Sequence, residues 1–133
     1  MIFVDSGAFL ARYLKNDQYH VRAQAAWRRL AKSRERCATT NFVLDETFTL
    51  LGRRANYEFA AERARTIYDS SFLLVLRPTK PDELEALDWF EKFSDQQVSF
   101  TDCVSFAMMR SNKIKRAFTF DLHFQLAGFA VWP

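Results

Sequence analysis

Four acidic residues stand where chemistry needing paired carboxylates could be assembled: Asp5, Glu46, Asp102 and Asp121. Asp5 ends the apolar run Met1–Val4, and Asp121 directly follows the run 117–120. Both runs read as short strands. In a parallel α/β sheet, ligands bind beyond the carboxyl ends of the strands, near a switch in strand order. If the two strands are neighbours there, Asp5 and Asp121 converge on one crevice. Asp102 falls in the first turn of a helix expected over 99–111, from which its side chain can project onto the same rim. Glu46 lies one turn into a helix from Phe42, on a face shared with Phe42, Val43 and Leu50, so an acid points where apolar residues belong.

Each acid also has a plain structural explanation. Asp5 and Asp121 could cap the helices that follow them. Asp102 with Ser99 has the spacing of a capping box. Glu46 is harder to dismiss, because a carboxylate on a buried face is costly unless paired or metal-bound. Its neighbour Asp45 is turned about 100° around the helix and is expected to face outward. Together, carboxylates about 5 Å apart repel by ~3 kcal/mol per pair at an effective dielectric near 20. A fold that gathers four needs a cation or protonates some of them. With no Cys or His counted in the set, hard oxygen ligands favour Mg²⁺, with Mn²⁺ as a substitute, over Zn²⁺. Such an ion can activate water for in-line attack on a phosphodiester without a covalent intermediate.

The elements that must hold these acids alternate strand and helix. The expected order is a strand to Val4, helices over 8–14 and 20–32, and a strand over 37–39. Helices over 42–54 and 57–69 follow, then a strand over 72–76 and helices over 81–93 and 99–111. A strand over 117–120, a brief helix to Ala127 capped by Gly128, and a strand over 129–132 complete the chain. The continuous apolar run 72–76 reads as a central strand, and the helix from Phe42 as largely buried. The whole predicts one domain over 1–133, a three-layer α/β/α sandwich with a central parallel sheet of four or five strands and right-handed crossovers.

Composition agrees. At 133 residues, 49% hydrophobic and with 14 Phe, the chain has ample surface to bury, which excludes disorder. Cys37 and Cys103 have no metal or redox spacing and read as free thiols of a reducing cytoplasm. No targeting segment or membrane span is expected. The formal charge is only +3, yet Arg28, Arg29, Lys32, Arg34 and Arg36 cluster, as do Arg110, Lys113, Lys115 and Arg116. Such clusters suit a polyanion, although a solvated helix face explains either one as well. The stripe Trp89, Phe90 and Phe93 is better read as a buried helix face than as a base-stacking surface. His123, two residues past Asp121, reads as polar surface near the rim.

The segments that carry the acids resemble those of PIN domains. MIFVDSGAFLARYL is similar to the family's first strand and helix, TTNFVLDETFTLL to the stretch with its buried Glu, VSFTDCVSFAMM to that with its third acid, and AFTFDLHFQLAGF to its C-terminal signature. The four occur in the family's order across nearly the whole chain, and no acid departs from the pattern. The size and the ending resemble the VapC toxins of toxin–antitoxin pairs. That resemblance implies a parallel sheet in the order 3-2-1-4-5, Mg²⁺-dependent endoribonuclease activity, a homodimer, and inhibition by a cognate antitoxin. It places the metal-binding and catalytic roles on Asp5, Glu46, Asp102 and Asp121, with Ser6, Thr101 and Thr119 as supporting hydroxyls. Other Asp-after-strand folds fit less well. A haloacid-dehalogenase-type phosphatase needs a second Asp where Gly7 stands, a receiver domain needs an early acidic pair and a late Lys, and no G-x-G-x-x-G follows the first strand. A non-catalytic scaffold that binds RNA or protein, keeping its acids for stability, is the alternative from another class.

Overall fold

The computed structural model describes all of residues 1–133. Five parallel strands form its sheet: β1 (Ile2–Val4), β2 (Cys37–Thr40), β3 (Leu73–Leu76), β4 (Arg116–Phe118) and β5 (Ala130–Trp132), in the order β3-β2-β1-β4-β5. Helices α1 (Ser6–Tyr13) and α2 (His20–Ser33) connect β1 to β2. Helices α3 (Asn41–Arg54) and α4 (Tyr57–Asp69) lead to β3, α5 (Lys80–Lys92) and α6 (Phe100–Ser111) return to β4, and α7 (His123–Leu126) precedes β5. The chain moves outward from β1 to β3 and then jumps back to β4 beside β1. Right-handed crossovers therefore put the outgoing and returning helices on opposite faces, giving the expected three layers.

Local signals explain where these elements begin. Thr40 caps α3 by accepting a hydrogen bond from the Val43 N–H at 3.1 Å, and Asn56 caps α4 through the Phe59 N–H at 2.8 Å. A reciprocal Thr79–Asp82 capping box with Pro81 in the first turn opens α5. Gly128, at φ 98°, follows α7 in the left-handed region that glycine adopts without strain.

Aromatic packing ties both helical layers to the sheet. Trp27 of α2 lies 5.2 Å from Phe118 and 5.5 Å from Phe9, centroid to centroid, and its Nε1–H donates to the Ala8 carbonyl at 3.0 Å. On the opposite face Phe124 meets Phe3 at 6.3 Å and Phe106 at 5.0 Å. Phe106 also packs edge-on against Trp89 and Phe93, both buried, which makes that stripe a core face, with Phe90 left exposed on the flank. Cys37 and Cys103 are free and buried, and burial pushes both thiols up to about 11, so neither offers a reactive thiolate. No helix is long and apolar enough to cross a membrane.

Three sequence expectations are corrected. The run 72–76 is the edge strand β3, not a central one: Phe72 and Leu74 are exposed, because an apolar run does not say whether both faces will be covered. Helix α3 is only half buried, its inner stripe being Val43, Leu44, Thr47 and Leu51. Strand β4 ends at Phe118, so Asp121 stands three residues past the strand instead of directly after it.

Phe106 is fully buried among four aromatic rings, those of Trp89, Phe93, Phe124 and Phe129. Phe106→Ala is expected to lower unfolding free energy by about 3–5 kcal/mol in urea denaturation, since the rings cannot close over the void. A loss below ~1 kcal/mol contradicts this packing.

Candidate metal centre

The switch in strand order lies between β1 and β4, and the acids gather beyond the carboxyl ends of those strands. Asp5 immediately follows β1. Its N–H donates to the Phe118 carbonyl at 3.1 Å, which continues the β1–β4 pairing to the acid itself. On the other side of β1, the Thr39 hydroxyl donates to the Val4 carbonyl at 2.8 Å and fixes the strand end from β2. Asp5 stands at the N-cap of α1 but makes no side-chain cap bond. Its Oδ2 instead accepts from the Thr119 hydroxyl at 2.8 Å, while its Oδ1 is buried without any partner. The Thr119 oxygen in turn accepts from the Asp121 N–H at 3.0 Å, so one hydroxyl bridges two of the acidic positions.

Asp102 is buried in the first turn of α6, and its N–H donates to Ser99 Oγ at 3.1 Å. The reciprocal half of a capping box is missing, and the carboxylate turns toward the other acids. Asp121 Oδ1 accepts from the His123 N–H at 2.9 Å, a tight local turn that sets the carboxylate ahead of α7. Glu46 is half-buried on the flank of α3, and Asp45 is exposed, as expected. Glu46 therefore stands at the lip of the crevice, outside the core. Of the three supporting hydroxyls, Thr119 binds Asp5 and Ser6 lies against Glu46. The Thr101 hydroxyl makes no hydrogen bond to an acid; only the Thr101 carbonyl is engaged, accepting from Ser105 Oγ.

The electrostatics are those of crowded, like-charged groups. Burial pushes the Asp102 carboxyl up to about 8, reinforced by the charges of Asp5, Asp121 and Glu46 and by a hydrogen bond to Asp121 that favours its protonated form. Burial raises Asp5 to about 6, against the opposing hydrogen bonds from Thr119 and the Ser6 backbone, with Asp121 and Glu46 adding to the rise. Glu46 is raised by burial and by Asp121 and Asp45, while the Ser6 hydroxyl holds it down. All four sequence-predicted acids thus influence one another across one crevice. No Lys or Arg forms an ion pair with any of them.

One further side chain reaches the acids. His123 is not simply rim surface: its Nδ1 lies 3.2 Å from Asp121 Oδ1 and 3.8 Å from Asp102 Oδ2. Ligand atoms of Asp102, Asp121 and His123 all fall within 4.8 Å of one another. The imidazole therefore stands among the acids, closer to them than the sequence reading of His123 as polar surface near the rim implied. The available signal was the i+2 spacing from Asp121, which an Asx-type turn converts into proximity. Beside the crevice, Tyr19 stacks on Phe120 at 4.4 Å, and the Arg22 guanidinium lies 5.4 Å from the Phe120 ring centre.

A divalent cation fits these residues. It offers a partner to the orphaned Asp5 Oδ1 and supplies the positive charge that no side chain provides. Residues 2–130, which carry this five-stranded parallel sheet and its carboxylate cluster, match the family described as the PIN domain, a family of metal-dependent nucleases. The chain belongs to the PIN-domain family and is an endonuclease of the VapC kind. It is 37% identical over 129 residues to the 23S rRNA-specific endonuclease VapC20 of Mycobacterium tuberculosis, in strains CDC 1551 / Oshkosh and H37Rv, covering 97% of this chain and 95% of the relative. The crystal structure of Mycobacterium tuberculosis VapC20, described as a sarcin-ricin loop cleaving toxin, superposes with a TM-score of 0.88 at 35% identity, covering 98% of this chain and 97% of that one. The structure of VapBC-1 from nontypeable Haemophilus influenzae aligns with a TM-score of 0.68 at 14% identity over 99% and 97% of the two chains, a likeness of fold alone.

The raised carboxyl pKa values give a pH dependence of definite sign. With Asp5 near 6 and Asp102 near 8 when folded, against 3.8 as the ordinary value, the native state holds more protons than the unfolded chain between those limits. Stability without metal therefore falls as pH rises from about 4 through about 8. In chelator, Tm is expected to drop over that range. Asp102→Asn should flatten the drop, raising Tm at pH 8 and leaving it nearly unchanged at pH 4. Parallel profiles for the two proteins contradict the assignment of the strain to Asp102.

Proposed function

We propose that the chain is a Mg²⁺-dependent endoribonuclease, with Mn²⁺ as a substitute, that hydrolyses RNA phosphodiester bonds as the toxin of a VapBC-type pair. One domain over 1–133 would carry the activity, working in the cytoplasm as a homodimer and restrained by a cognate antitoxin. The observation that carries the reading is the crevice itself: four carboxylates at the β1–β4 switch point, two of them buried, with no Lys or Arg to neutralise them. Family membership and the similarity to VapC20 support the choice of RNA. Because that relative is named 23S rRNA-specific, a structured ribosomal RNA stem-loop is the first substrate to offer.

Asp5, Glu46, Asp102 and Asp121 are assigned as the metal-binding and catalytic residues. When bound, the divalent ion supplies a Lewis acid that offsets phosphate charge and makes water nucleophilic near neutral pH. The chain supplies position. The Thr119 hydroxyl holds Asp5 Oδ2, leaving Oδ1 free for a ligand, and orders the backbone at Asp121. Ser6 steadies Glu46 at the lip. Thr101 keeps a lesser supporting assignment on the first turn of α6. Arg22 above the Tyr19–Phe120 stack, together with exposed Arg28, Arg29 and Lys32 on α2, offers cations and a ring surface for an RNA strand approaching the acids.

Purified protein is expected to cleave the stem-loop with Mg²⁺ or Mn²⁺ and to stop when chelator is added. Asp5→Asn and Asp102→Asn should each reduce cleavage on the order of 100-fold or more, with circular dichroism unchanged. Cleavage at wild-type rate by both variants, or in chelator, overturns the assignment.

A further inference from the structure

His123 is the one group in the crevice that the four-acid reading leaves without a task. Its Nδ1 is buried and has no hydrogen-bond partner, although Asp121 Oδ1 is only 3.2 Å away. The two atoms are close but form no hydrogen bond, and Asp102 Oδ2 lies 3.8 Å from the same nitrogen. The ligand atoms of the three residues all lie within 4.8 Å of one another, close enough to reach one ion. Ligand atoms about 2.1 Å from one small cation stand roughly 3 Å apart when adjacent in an octahedral shell. The 3.2 Å separation lies near that value, and the 3.8 Å separation falls between those of adjacent and opposite positions in such a shell. Asp5, itself buried, also leaves Oδ1 unpartnered, and its charge is felt at Asp102.

The position of the imidazole is also built. The His123 N–H is tied to Asp121 Oδ1 at 2.9 Å, which fixes the backbone relative to the carboxylate. Next in sequence, Phe124 is fully buried between Phe3 and Phe106 and anchors α7 from below. These contacts fix the backbone from which the ring projects.

We propose that His123 Nδ1 is a nitrogen ligand of the metal held by Asp102 and Asp121, so that the site takes Mn²⁺ in preference to Mg²⁺. The inference rests on the metal-site reading above and deepens it. Mg²⁺ demands oxygen ligands and parts with its waters reluctantly, whereas Mn²⁺ accepts imidazole beside carboxylate and lies on the rising series of divalent affinities for nitrogen donors. An all-carboxylate crevice has no such donor. One imidazole in the ligand set therefore discriminates between two ions of equal charge.

The test is metal binding by the full chain, stripped of metal and titrated separately with Mn²⁺ and Mg²⁺ by calorimetry, with pulsed EPR of the Mn²⁺ complex. Expected results are tighter binding of Mn²⁺ than Mg²⁺ and a nitrogen coupling of a directly bound imidazole. His123→Ala should remove the coupling and weaken Mn²⁺ about 10-fold or more, with the Mg²⁺ affinity changed less than about threefold. A wild-type Mn²⁺ complex without nitrogen coupling overturns the inference and needs no variant to fold. So does a His123→Ala protein that binds both ions as wild type does. Asp102→Asn separates the two readings: if it abolishes binding while the nitrogen coupling is absent from wild type, the acidic metal site stands and only the histidine ligand falls. A wild-type chain that binds neither ion removes both.

Discussion

Two carboxylates, Asp5 and Asp102, are buried in a place where the protein supplies no Lys or Arg to meet them. That constraint governs the rest. Buried charge without a partner costs several kcal/mol unless the group protonates or a cation arrives. Here the carboxyls rise toward neutrality, Asp102 furthest because it is buried and faces three other acids. A crevice in which burial favours the protonated form of Asp102 at neutral pH leaves that carboxyl's charge available to an incoming cation.

The scaffold keeps those carboxylates from relaxing apart. Asp5 is fixed by the β1–β4 pairing that continues through its N–H, and by Thr39 bonding the end of β1 from β2. Thr119 grips Asp5 by its side chain and Asp121 by its backbone. Beneath, Phe3, Phe106 and Phe124 close the sheet against α6 and α7, the elements that carry Asp102 and border Asp121. Free energy from burying these rings offsets the repulsion that the acids impose above them.

Much of this was legible in the sequence, for physical reasons that differ by residue. Asp5 could be placed because a short apolar run ending in an acid and Ser-Gly marks a strand end. The order of the acidic segments and their resemblance to PIN domains implied the sheet order found. Glu46 was singled out for burial, yet it stands only half-buried at the lip, because helical spacing identifies a face and not how deeply that face is covered. The apolar run 72–76 suggests a central strand, yet β3 is at the edge, for the same reason: apolar content does not report what packs on the second face. The sequence shows His123 beside Asp121 but not where its ring lies. Its closeness to Asp102 depends on a tertiary contact between α6 and the turn before α7, and no local pattern encodes that contact.

The most direct test of the account is the number of protons released when Mg²⁺ binds. Calorimetric titrations at pH 7 in two buffers of different ionisation enthalpy measure it without reference to any substrate. With Asp102 held near 8 by burial and its acidic neighbours, binding at pH 7 should release about one proton, falling toward zero near pH 9. Binding that releases no proton at pH 7 would mean that the ion does not meet the strained carboxylates, and the account of the crevice would be wrong.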